Sequence, residues 1–110
     1  MNESTLKDLI ETVEHQVSLF PMGSAQHTLQ VNRLNALRVA QSISLNQPVS
    51  PEALRLARDP LASLISKSEK ALSKLKPDSW QAQRLIRNLE TLKPLYAMVE
   101  QHLTTLTNKQ

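Results

Sequence analysis

Apolar residues recur along this chain in four stretches at helical spacing, separated by short breaks rich in Pro, Ser and Asn. In the first stretch, Leu9, Ile10, Val13, Val17 and Phe20 follow Leu6 at i+3, i+4, i+7, i+11 and i+14. At about 100° per residue they share roughly 100° of arc, with Asp8, Glu11, Glu14 and His15 away from it. Ser4 or Thr5 is the expected cap. Phe20-Pro21-Met22-Gly23 is the stop, because Pro21 disfavours helical backbone at Phe20 and Gly23 permits a turn.

The second stretch takes Ser24 as its cap and runs to about Leu45. Leu29, Ala36, Leu37, Val39, Ala40 and Ile43 make one broad apolar face, while Val31, Leu34 and Leu45 fall on the other side. A helix that is apolar on two sides belongs in the middle of a bundle or in a dimer interface. Asn46-Gln47-Pro48-Val49 ends it.

Ser50-Pro51-Glu52 opens the third stretch with a cap, a Pro at the first helical position and an acid that suits the helix dipole. Asp59-Pro60 repeats that signal, so the spacing predicts a short helix over 51–58 and a restart at 60. Leu61, Leu64, Ile65, Ser68, Leu72 and Leu75 form its stripe, with Lys67, Lys70 and Lys74 opposite.

The fourth stretch has the strongest pattern. Lys76-Pro77 stops the preceding helix, and Asp78 with Gln81 has capping-box spacing. Ala82, Leu85, Leu89, Leu92, Tyr96, Val99, Leu103 and Leu106 then alternate steps of three and four, a coiled-coil-like seam. Pro94 interrupts it, and a Pro inside a helix costs about 3 kcal/mol or bends it.

Together these predict one all-α domain over 1–110: an up-down bundle of four main helices with breaks near Pro60 and Pro94. The helices are expected over about 5–20, 25–45, 51–75 (broken at 59–60) and 79–107 (kinked near 94). The fourth is much longer than the first. Its excess must bend, project or pair with another copy.

Composition narrows the chemistry. The 110 residues include one Gly and no Cys. One Gly leaves no phosphate-cradling or dinucleotide fingerprint, and no Cys means no disulfide, thiolate metal site or thiol nucleophile. His15, His27 and His102 lack a second His one turn away, and Glu11 with His15 makes at most two ligands. No Gly-x-Ser-x-Gly elbow is present, and Asp8, Glu11 and Glu14 read as a solvated face rather than a catalytic pair. The expectation is no enzyme, no cofactor, no metal and no catalytic residue.

Net charge is +3 and unevenly spread. Residues 1–20 hold one Lys against four acids, and the later stretches are basic. That asymmetry suggests complementary helix packing or two differently charged faces. Met1-Asn2-Glu3-Ser4 lacks the basic and apolar regions of a secretory signal, and the longest apolar run, Leu95 to Val99, is far below the roughly 20 residues of a membrane span. The expectation is a cytoplasmic protein that does not insert into a membrane.

Helix–helix recognition fits these features best: a small adaptor, regulator or chaperone-like factor that binds a protein partner or itself, expected as a homodimer. The fourth stretch offers more seam than a small bundle needs, so Leu92, Tyr96, Met98, Val99, Leu103 and Leu106 are the candidate partner-binding residues. The alternative is a nucleic-acid-binding regulator. Lys67, Lys70 and Lys74 would touch phosphates, and Trp80, Arg84 and Arg87, on one helix face, would stack a base and hold its backbone. A ligand-binding or enzymatic bundle is third.

Overall fold

The four apolar stripes become four helices. A computed structural model describes residues 3–108, which form α1 (Glu3–Ser18), α2 (Ala25–Ser44), α3 (Pro51–Leu72) and α4 (Trp80–Asn108), with no strand among the described residues. The all-α bundle expected from the sequence is the architecture observed.

Serine hydroxyls start three of the helices. Ser24 Oγ accepts from the His27 amide at 3.1 Å, and Ser50 Oγ from the Ala53 amide at 3.1 Å, with Pro51 at the first position of α3. At α4 the cap is Ser79, not Asp78, because Ser79 Oγ accepts from the Ala82 amide at 3.2 Å. The Ser79 hydroxyl also donates back to the Lys76 carbonyl at 2.8 Å, as Ser24 does to Pro21. That two-way use of one hydroxyl ties each turn to the helix it opens. Ser4 and Thr5 lie inside α1, which begins at Glu3, so its cap falls outside the described residues.

The stop of α2 is equally specific. Asn46 takes a left-handed backbone at φ 57°, its amide donates to the Ile43 carbonyl, and the Gln47 amide donates to the Ser42 carbonyl. This is a Schellman motif with Asn in the usual Gly position, which Asn tolerates better than other side chains. The single Gly is used where φ is +87°, in the α1–α2 turn.

The expected helix boundary at 59–60 is absent. One α3 runs through Pro60, and α4 likewise runs through Pro94. Each Pro removes a hydrogen bond to the carbonyl four residues earlier, Leu56 and Glu90 respectively. Both of those residues are exposed, so solvent can supply the missing bond. The inner faces stay in register across the prolines: Leu54, Ala57, Leu61 and Leu64 in α3, and Leu89, Leu92, Leu95 and Val99 in α4, are all buried. A restart would rotate one half of each stripe out of the core. The helices also end slightly earlier than predicted at α1, α2 and α3, leaving Phe20 and Leu75 in turns, half-buried.

α2 packs on every other helix, whereas α1 and α3 do not meet. The two-sided apolar pattern of α2 thus corresponds to its central place. α3 and α4 run antiparallel. Arg58 pairs with Glu100 at 2.9 Å, and eleven residues further along α3, Glu69 pairs with Lys93 at 2.9 Å, seven residues earlier in α4. α4 is about 43 Å long and spans most of the 47 Å long axis of the molecule. Its early half lies beside α1, and its later half lies against the α2–α3 turn and the start of α3.

One polar side chain breaks the pattern of the core. Arg33 of α2 is only 6% exposed. Its Nη2 donates to Ser63 Oγ of α3 at 2.9 Å, its Nε has no partner, and no carboxylate pairs with it among the described residues. One turn earlier, Gln30 is also buried with Oε1 unpartnered. Burial alone pushes the Arg33 guanidinium below its ordinary pKa, as expected for a charge held away from water without a counter-charge.

Two stability tests follow from this packing. Leu92→Ala empties a fully buried position and should lower unfolding free energy by about 2–5 kcal/mol, whereas Leu56→Ala, at a mostly exposed position, should change it by less than about 0.5 kcal/mol. Urea titration with matched slopes checks both. Arg33→Met keeps the volume and removes the unpaired charge, so its urea midpoint should equal or exceed that of the parent. A loss above about 1 kcal/mol would mean that the guanidinium is better satisfied than its one bond to Ser63 suggests.

Candidate protein interface

The six α4 residues expected to meet a partner are packed, wholly or in part, within the chain's own core. Leu92 and Val99 have 0% exposure, and Tyr96, Met98, Leu103 and Leu106 are half-buried against the same core cluster. The seam that looked excessive is consumed because α4 is covered by two different elements along its length. Tyr96 is held further by charge. The Glu100 carboxylate beside it raises the phenol above its ordinary pKa, with burial adding to the shift and Arg58 opposing it. Arg58, paired with the same carboxylate, is raised by it in turn.

The six residues of the nucleic-acid alternative divide between the end of α3 with its following turn and the start of α4. Lys67 and Lys70 are exposed on α3, on the side away from its buried stripe, and Lys74 is exposed in the turn that follows it. Trp80, Arg84 and Arg87 stand on the first turns of α4 and form one wall of a cleft whose other wall is α1. The lysines line neither that cleft nor the groove between α2 and α3.

The cleft follows from how little α1 packs on α4. α1 has one apolar stripe, and its buried members Leu6, Ile10 and Val13 join the core while α1 leans chiefly on α2. Two adjoining cavities remain, of about 520 and 550 Å³, and Asp8, Thr12 and Arg84 line both. Leu9 and Leu85 add apolar surface inside the first cavity, and Glu11 and His15 line the second. Two large apolar side chains stand open at the edges. Trp80, the single Trp, is 67% exposed in the first cavity, and Leu19 is 63% exposed in the second.

The charges of the cleft are uncommitted. Glu14 pairs with Arg38 of α2 at 3.1 Å, which meets part of the expected complementarity between the acidic first helix and a basic neighbour. Asp8, Glu11, Arg84 and Arg87 form no ion pair among the described residues. The cleft therefore has an acidic wall on α1, a basic wall on α4 and apolar residues between them. Sequence reasoning assigned Trp80, Arg84 and Arg87 to a shared face and missed the acidic wall opposite. The acids were legible as one helix face, but nothing local showed which face they would meet.

A second groove of about 550 Å³ lies between α2 and α3, with Leu29, Val39 and Leu56 around a floor of Ala36, Ala53, Ala57 and Pro60. Glu11 and His15, the one pair with ligand-like spacing, have no third partner: among the described residues no three His, Asp or Glu side chains group as metal ligands. No helix of the described residues is long and apolar enough to cross a membrane. Compared with protein-family models, curated proteins and solved structures, the chain matches none of them.

Proposed function

We propose that this protein is a non-enzymatic helical interaction module, an adaptor, regulator or chaperone-like factor, whose docking face is the α1/α4 cleft. The observation that carries this reading is the pair Trp80 and Leu19, large apolar side chains left open on either side of Arg84. Interfaces are anchored by side chains of this kind, Trp and Arg above all, seated beside a shallow cavity. The alternative use of the same basic residues is weaker, because a phosphate entering beside Arg84 meets Asp8 and Glu11 in the same cavities. The cleft is also open rather than enclosed, and its ionisable groups sit on an accessible surface, which suits docking better than chemistry.

Photo-crosslinking of the full chain in the cells that produce it tests the reading. Trp80→p-benzoylphenylalanine should give a discrete protein adduct on irradiation, and Lys67→p-benzoylphenylalanine, on the wet face of α3, should give none. Absence of any adduct from position 80 would overturn the proposal. A nucleic-acid adduct from position 67 would put the nucleic-acid alternative in its place.

A further inference from the structure

We infer that the cleft is filled by the same cleft of a second copy, the two chains being related by a two-fold axis that runs along it. This rests on the reading that the α1/α4 cleft is a docking face, and it names the occupant. The argument is one of charge order. Across the cleft the walls read acid, apolar, base: Asp8 and Glu11 on α1, then Leu9 and Leu85, then Arg84 and Arg87 on α4. None of the four charged groups is neutralised by an ion pair among the described residues.

A face-to-face pair of identical surfaces has two simple choices of axis. With the axis across the cleft, acid meets acid and base meets base, which is repulsive on both walls. With the axis along the cleft, the α1 wall of each copy faces the α4 wall of the other. The two acids of each copy then meet the two bases of the other, four opposite-charge pairs from one symmetry operation. The open Trp80 and Leu19 at the edges of the same cleft supply apolar surface for burial that charge pairing alone does not give. A heterologous partner would need the same three-part order in reverse, and the chain itself already carries it.

Sedimentation of the full chain tests this. At low salt, over roughly micromolar to hundreds of micromolar, the mass should rise from 12.4 kDa to twice that value, and raising salt to about 0.5 M should weaken association several-fold. Trp80 fluorescence should shift to the blue over the same range. Arg84→Glu with Arg87→Glu, and separately Asp8→Lys with Glu11→Lys, should each weaken self-association at least tenfold while circular dichroism reports an unchanged helix content. Mixed in equal amounts, the two variants should regain the parental mass, because each then offers the wall the other lacks. A parent that stays at 12.4 kDa throughout, or a mixture that does not recover, overturns the inference. The two readings fail differently. An adduct from position 80 at a mass other than twice the chain removes the second copy and keeps the docking face, whereas no adduct removes both.

Discussion

Everything in this bundle depends on α2 being covered from more than one side. Leu37 and Ala40 have no exposed surface, and the buried positions from Gln30 to Ile43 sweep about half of the helix circumference. One neighbour cannot cover such an arc, so α1, α3 and α4 all lie against α2. Small residues make this feasible. Ala36 of α2 and Ala53 and Ala57 of α3 line one groove, where the two backbones approach without bulky side chains to hold them apart. Arg33 and Gln30 lie inside the same arc, and their unpartnered atoms show that the coverage was not matched to every polar group there.

The α1/α4 cleft is what this arrangement leaves over. A 16-residue helix with one stripe can seat that stripe on a single main neighbour, and α2 offers the larger apolar surface. α4 is nearly twice as long, and its later half is already held by α3 and the α2–α3 turn. Its first turns, with Trp80, Arg84 and Arg87, therefore face α1 across a gap rather than through a packed seam. The exposure of Trp80 follows from a contest between two helices for one stripe.

Fold class was legible because helical periodicity and Ser, Pro and Asn punctuation are local properties. Ser24 and Ser50 behave as their sequence contexts imply. The prolines were harder. The cost of Pro60 is local, but what offsets it is the registered burial of Leu54, Ala57, Leu61 and Leu64, a tertiary effect that no short window contains. The same limit applies to the α4 residues expected to meet a partner. A seam of three-four steps says that a face is covered, and leaves open what covers it. Leu92 and Val99 would show the same periodicity in a dimer and in a closed monomer. The stripe carried information about burial, and the α1/α4 cleft is lined mostly by residues off the stripe.

The basic residues show how a fold changes the meaning of a charge. Along the chain, Lys67, Lys70, Lys74, Arg84 and Arg87 read as the basic residues of two successive stretches. In space, Lys67 and Lys70 stay on the outer side of α3 with Lys74 in the turn after it, and the two arginines of α4 stand across a cleft from Asp8 and Glu11. A polyanion approaching the arginines meets carboxylates lining the same two adjoining cavities, so repulsion opposes attraction, and the net charge of +3 is small. A surface with both signs in fixed order is poor at holding a uniform polyanion and good at choosing a partner whose signs are ordered in reverse. Between those two kinds of ligand, the placement of two acids on α1 decides more than the count of bases does.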